Sequence, residues 1–441
     1  MALAVSTTSL PACGRTVATT ARVVRERTRA VRSVAIVGGG PAGAMLGFEL
    51  ARAGVQVAMF APDNRPPLVV GESLVPAIVP FLRRLGIENE VAGFSVPKPG
   101  ATFTLRGQEP LSFRFADFKR IAAPYAYNSP RDLLDAAIRR AAIGAGVRVF
   151  PFAAKLERVG DDGLRLAAET LRATDGFFLE GPDWIVDASG RRRLVSNLLD
   201  LPSRAGPRRD AALFAHLEGM PLVHAGHAHS DLLDHGWCWR IPLRGKVSLG
   251  MVVHGDTLGK FGAGNEEQYD NFLRQDTQLR SFGGAPKRVS PVMRYTNYQM
   301  LTQRGVGAGW ALVGDAFGFV DPVFSSGLLV SLDGAVHLAA ALVEGSGAAL
   351  AAYEQRVLRH VAAWHRAVDR FYDGRLLTLF QMGVDARRRV VGRLLNLHFS
   401  RHFPQLFTGD ATLRRYSSWL LEFMCKRGLA KRDPALLRVL A

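Results

Sequence analysis

SVAIVGGGPAGAMLGFELARAGVQVAMF, residues 33–60, sets the fold class of this chain. Val34–Val37 shows no polar alternation, so it reads as a strand covered on both faces. Gly38, Gly40 and Gly43 follow in GxGxxG spacing. Pro41 stands in the first turn of the ensuing helix, where its missing N–H costs nothing. The helix is expected to run to about Ala53; Gly54 ends it, and Val55–Phe60 makes a second strand. In such a βαβ unit Gly38 permits the tight turn, Gly40 lets the backbone reach a pyrophosphate, and Gly43 lets the helix lie close to the sheet. The free N–H groups of the helix then face the anion. The motif within a full strand–turn–helix–strand implies dinucleotide binding. One part is missing. The acid that usually ends the second strand and holds a ribose hydroxyl is replaced by Ala61, with Asp63 two residues on.

Outward from this unit, Arg131–Ala145 reads as an amphipathic helix, Val147–Phe150 as a strand, and Trp184–Ala188 as a strand closing in DASG, residues 187–190. Between Gly206 and Tyr298 short strands alternate with loops, Val247–Val253 among them, which predicts an inserted, mostly antiparallel sheet. From about Ala349 the apolar residues Val357, Val361, Trp364, Val368 and Phe371 recur at helical spacing. The expected architecture is therefore α/β: an extension over 1–33, a Rossmann-like core over 34–345 with its sheet insertion mainly within 206–299, and a helical basic region over 346–441.

Composition narrows the classes. The chain has 441 residues, 48% apolar and 22% charged, which excludes global disorder and collagen-like repeats. Three widely spaced cysteines, Cys13, Cys238 and Cys425, offer neither a disulfide scaffold nor a zinc site. The expected compartment is reducing, the cytoplasm, and no metal is expected. The net charge of +17 is concentrated at the two ends, and the body is close to balanced. No nucleic-acid reading motif accompanies it, so nucleic acid is not an expected partner. Leu328–Val343 is apolar but short and interrupted by Asp333 and His337, so no transmembrane segment is expected. Residues 1–33 have the Arg/Ser/Thr-rich character of a transit peptide; the plainer reading, a loose extension, is preferred.

Four further stretches carry a resemblance. LVGDAFGFVDPVFSSG, residues 312–327, places Gly314-Asp315 after a strand and a Ser/Gly turn before a helix. GESLVP, residues 71–76, follows the βαβ unit; GWCWRIP, residues 236–242, has Trp237, Trp239, Ile241 and Pro242 in WxWxIP spacing; VPKPGATF, residues 96–103, holds Lys98 between two prolines. With DASG, these resemble FAD enzymes of the para-hydroxybenzoate hydroxylase class, and within it the flavin-dependent halogenases of phenol or pyrrole type. The resemblance covers roughly residues 33–380. Without it, a Trp pair on one strand face is core packing and a lone Lys is a surface residue.

The resemblance implies FAD as cofactor, held by Gly38, Gly40, Gly43, Glu72, Arg131 and Asp315, with reduced FAD supplied by a separate flavin reductase. It implies Trp237 and Trp239 as a barrier at the flavin, and Ser326 and Gly327 as halide-binding residues. Reduced FAD, O2 and chloride or bromide would yield hypohalous acid, which Lys98 relays to an electron-rich aromatic ring. Phe324 stands where tryptophan halogenases have a glutamate that helps activate indole, which argues for a phenol or pyrrole. The ring is free or tethered to an acidic carrier protein. Arg387, Arg388, Arg389, Lys426, Arg427, Lys431 and Arg432 could dock such a carrier, although a solvated basic face is the plainer reading. The competing readings are an NAD(P)H-dependent aromatic hydroxylase of the same fold, a prenyl reductase, and a flavoprotein scaffold without catalysis.

Overall fold

A computed structural model describes residues 31–64, 66–106, 108–296, 299–387, 404–409, 415–429 and 432–440. The extension up to residue 30, Cys13 included, lies outside them, as do Arg388, Arg389 and Lys431 of the basic tail.

The βαβ unit forms as its sequence dictates: strand Ser33–Val37, helix Pro41–Arg52, strand Gln56–Phe60. Gly38 has φ +118°, and a Cβ there would lie 2.3 Å from the Ala188 carbonyl oxygen. A Cβ on Gly43 would meet the Gly38 carbonyl oxygen at 2.2 Å, so the helix rides directly on the turn. This unit seeds a six-stranded sheet in the order Val306–Gly307, Trp310–Leu312, Trp184–Asp187, Ser33–Val37, Gln56–Phe60, Arg148–Phe150. All neighbours are parallel except the edge pair Val306–Gly307 and Trp310–Leu312. Helices Pro41–Arg52, Arg131–Gly144 and Gly327–Glu344 cover one face, and the other face buries Ala35, Val37, Ala58, Phe60 and Phe150.

The second sheet has eight strands. Its centre is antiparallel: Asp210–Glu218, Lys246–His254, Trp237–Leu243 and Ala228–Leu232. It reaches beyond residues 206–299, because Gly100–Thr104 adds in parallel to Ala228–Leu232 and carries Leu111–Arg114 with it. The strand Trp237–Leu243 is buried at every residue. Its odd positions, Trp237, Trp239, Ile241 and Leu243, join the main core, and Cys238 joins a second core beneath helix Asn265–Gln275. Arg240 points to that second side too, paired with Asp231 at 2.8 Å and stacked 3.6 Å from the Phe282 ring; both charged groups are fully buried.

Helix Gly327–Glu344 is long and apolar enough to cross a bilayer. Here it is mostly buried in the protein, and Asp333 is tied to Arg356 of the next helix at 2.9 Å. The C-terminal part is helical: Gly347–Tyr372, Arg375–Arg387, Pro404–Thr408 and Arg415–Arg427. Cys238 and Cys425 are buried free thiols.

Candidate active site

A groove runs between the two sheets, along the C-terminal ends of the parallel strands, where open α/β sheets place their ligands. It spans about 1340 Å³ of non-atom space, open solvent included. Gly40, Pro41 and Ala42 line it, and a Cβ built on Gly40 meets nothing within 4 Å, so the backbone there faces open space. Ala188 and Gly190 of DASG also line it. Asp187 does not reach it; its carboxylate accepts from Ser189 N at 2.9 Å and Val195 N at 2.8 Å and so shapes the loop.

Charged groups meet in the middle of the groove. Arg131 opens the helix Arg131–Gly144 and donates to both oxygens of Asp135, at 2.9 and 3.0 Å, and to the Val70 carbonyl. Asp315 and Glu72 face it across the groove. Burial pushes the Asp315 carboxyl up to about 6, and Arg131 and Arg191 pull against that rise. Glu72 is buried with its Oε1 2.8 Å from His216 Nε2. Arg191 and His216 had no signal in the sequence. Arg191 sits in a run of three arginines after DASG, and His216 is one polar residue on a long buried strand. Asp63 is exposed and is not part of the groove lining, so the second strand ends without an acid at the groove.

Trp237 and Trp239 form the far wall, with ring centroids 5.9 Å apart. Trp237 is held by its indole N–H, which donates to Tyr372 Oη at 2.9 Å; Trp239 donates to Ser248 Oγ at 3.3 Å. Ser325 and Gly327 line the same end. Ser325 adopts φ +55°, which turns the chain into helix Gly327–Glu344. Ser326 is fully buried, and its Oγ has no hydrogen-bond partner among the described residues. Phe324, just before, lies in an aromatic cluster with Trp364, Phe371 and Phe407.

Lys98 lies behind this lining. Strand Val96–Lys98 pairs with Ala126–Asn128, and the next strand, Gly100–Thr104, belongs to the large sheet. Pro99 between them has no N–H and cannot extend the first ladder, so the chain changes sheets at the lysine. The amine is buried. It donates to Ser73 Oγ and to the Leu74 carbonyl, both at 2.8 Å, and lies 5.6 Å from the Phe115 ring centre. Ser73 lines the groove, and Lys98 is bonded to it through that serine. Burial alone, with no carboxylate beside it, brings the ammonium down to about 7.

The tryptophan halogenase family matches residues 33–122 and 116–421 of this sequence, most of the chain. The chain belongs to the flavin-dependent halogenases. Among this halogenase's relatives, a flavin-dependent halogenase of Armillaria mellea is 29% identical over 363 residues, 76% of this chain and 68% of that protein. A Pseudomonas fluorescens chlorinase, named for a pyrrole-2-carbonyl group on a peptidyl-carrier protein, is 25% identical over 81% of this chain and 87% of its own length. Of solved structures, a flavin-dependent brominase superposes with TM-score 0.73 at 20% identity, over 91% of this chain and all of that one. A halogenase solved with phloroglucinol and FAD superposes with TM-score 0.68 at 16% identity, over 92% and 94% of the two chains, a likeness of fold.

The cofactor of this family is FAD, and the groove fits it. The open backbone at Gly40, the helix N-terminus behind Pro41 and the opposite charges of Arg131 and Asp315 suit an anionic dinucleotide with a polyol arm.

Proposed function

We propose that this halogenase transfers chlorine or bromine to an electron-rich ring, a phenol or pyrrole, with Lys98 as the group that hands the halogen on. The observation that carries this reading is the state of that lysine: a buried amine without a counter-charge, at about 7, bonded to the wall of the FAD groove. At neutral pH a large share of it is the free amine. Its two N–H bonds are given to Ser73 and Leu74, which leaves the nitrogen lone pair as the position open to an electrophile.

Gly38, Gly40 and Gly43 form the pyrophosphate cradle, Asp315 and Arg131 take the ribityl side, and Glu72 holds its place through His216. Bound reduced FAD supplies, with O2 and halide, hypohalous acid. Ser326 Oγ and the N–H groups opening helix Gly327–Glu344 hold the halide; the buried hydroxyl, without a partner among the described residues and beside a helix N-terminus, supports this. Trp237 and Trp239 close the flavin end against a ring, so oxidant travels and substrate does not. At Lys98 hypohalous acid either stays hydrogen-bonded or exchanges its hydroxide for the amine, giving N–halogen and water. The ring then takes the halogen, loses a proton, and returns the amine. Phe324 packs among aromatic rings and is itself no acid, which favours a ring that supplies its own electrons.

Flavin is reduced by a separate reductase, and the ring is free or carried on an acidic carrier protein. Lys426 and Arg427 are exposed on the last helix, where a carrier could dock, although Lys426 is already paired with Glu422 at 3.1 Å. The test is product mass. With a reductase, NADH, FAD, O2 and phenolic or pyrrolic substrates, the product is expected to gain chlorine in chloride and bromine in bromide. A hydroxylated product without halogen contradicts the reading.

A further inference from the structure

We propose that Asp321 and Tyr372 are positioning residues that fasten the Trp237 wall to the Ser325–Gly327 turn, so that barrier and halide turn move as one unit. The proposal rests on reading that turn as the halide site. Three distant elements meet here. Asp321 lies in the loop after Gly318–Phe319, Tyr372 ends helix Gly347–Tyr372, and Trp237 begins the strand Trp237–Leu243. Asp321 Oδ1 accepts from the Val323 N–H at 3.0 Å, which fixes the turn Pro322–Phe324 running into Ser325. Its Oδ2 accepts from the Tyr372 hydroxyl at 2.8 Å. Tyr372 Oη in turn accepts from the Trp237 indole at 2.9 Å.

Trp237, Val323, Ser325 and Gly327 line the groove, whereas Asp321 and Tyr372 stand behind the lining and act only through what they hold. All three members of the chain are buried. An apolar trio would cost less to bury. What the carboxylate adds is direction: two oxygens, each aimed at a different element. The charged and titratable groups facing Asp321 are Tyr372, Asp210 and Arg208, the last 3.8 Å from the Tyr372 ring centre and paired with Asp210. Burial pushes the Asp321 carboxyl up to about 7; the Tyr372 and Val323 hydrogen bonds oppose this, Asp210 adds to it, and Arg208 opposes it. The ionised form is the one that can accept on both sides.

Tyr372→Phe keeps the ring beneath Arg208 and removes the hydroxyl. Asp321→Asn keeps the volume but accepts on one oxygen only. Both variants are expected to raise the KM for bromide about tenfold, within the range that misplacement costs, with FAD affinity unchanged. In the unmodified enzyme kcat/KM for bromide should rise with pH through about 7 as Asp321 ionises. Lys98 titrates in the same range, so the limb is assigned by its movement. Tyr372→Phe should move the Asp321 part of it to higher pH, because the lost O–H stabilised the carboxylate, and Asp321→Asn should remove that part and leave only the limb of Lys98. Bromide KM and pH limb both unchanged in the two variants overturn the proposal. Ser326→Val separates the premise. A bromide KM unmoved by Ser326→Val removes the halide turn and the proposal with it; one raised there but not in Tyr372→Phe overturns the positioning role alone.

Discussion

In the proposed reading Lys98 concentrates the chemistry of this site in one buried nitrogen. Its burial has a cost that depends on pH. Between about 7 and 10.5 the unfolded lysine is protonated while the folded one is not, so folding releases a proton and stability from this group rises with pH. Below about 7 the ammonium is charged in both states and the penalty is full and constant. Lys98→Met should therefore gain stability over the unmodified protein as pH falls from 10.5 to 7, then hold that gain; urea unfolding at pH 6, 8 and 10 measures it. An advantage that is flat across these pH values contradicts the burial argument. A second residue-scale prediction concerns Gly40. Its Cβ position is open, so Gly40→Val folds, but the side chain enters the groove. FAD binding followed by flavin fluorescence should fall at least tenfold, the scale of about 1.4 kcal/mol. The glycines were readable because a backbone that must turn or be approached leaves no other choice of residue. His216 and Arg191 were not, because their meaning comes from partners far off in sequence: Glu72 for one, Asp315 for the other.

The strand Trp237–Leu243 shows what alternation can and cannot say. The pattern puts Trp237 and Trp239 on one face, and they do share the groove wall. It does not say that the opposite face is also buried, nor that Arg240 there pairs with Asp231 inside the sheet. Removing one partner leaves the other charge unpaired in the interior. Arg240→Met alone should destabilise the protein by about 3–5 kcal/mol, and Arg240→Met with Asp231→Leu should recover much of that. Denaturant titration of the single and double variants reads this directly; equal losses in both contradict it. The parallel pairing of Gly100–Thr104 with Ala228–Leu232 was also hidden, since it joins segments more than a hundred residues apart. That pairing is what brings the lysine strand to the tryptophan sheet. Pro97 and Pro99 marked a stiff segment, but not where it docks. Helix Gly327–Glu344 was legible as an apolar helix interrupted by polar residues, its burial was not, and Asp333, which interrupts the apolar run, finds Arg356.

At the scale of the molecule, the parallel sheet with its groove is the part most fully written in the local sequence, because one βαβ unit fixes the handedness of everything added to it. The C-terminal return was not. Gly236 donates to the Leu440 carbonyl at 2.8 Å and Val439 to the Tyr372 carbonyl at 3.0 Å, so the last described residues brace the Trp237 strand. Nothing in a basic tail announces this. The glycine turn Gly38–Gly43 is the proposed phosphate cradle, and no second one stands out in the sequence for a nicotinamide dinucleotide. The isolated protein with FAD and NADPH is therefore expected to leave NADPH unoxidised, and to turn over once a flavin reductase is added. Rapid, substrate-stimulated NADPH oxidation in absorbance at 340 nm by the protein alone contradicts this.

The central claim is that Lys98 passes the halogen on, and a single comparison tests it. Reduced FAD, O2, bromide and a phenolic substrate are mixed with the unmodified enzyme and with Lys98→Ala, and both brominated product and flavin reoxidation are followed. Lys98→Ala is expected to lose bromination at least about a hundredfold, the scale for removing a group that acts in the chemical step, while flavin reoxidation continues. Lys98→Arg should fail with it, since a guanidinium stays protonated. Bromination by Lys98→Ala within a few-fold of the unmodified enzyme would contradict the account.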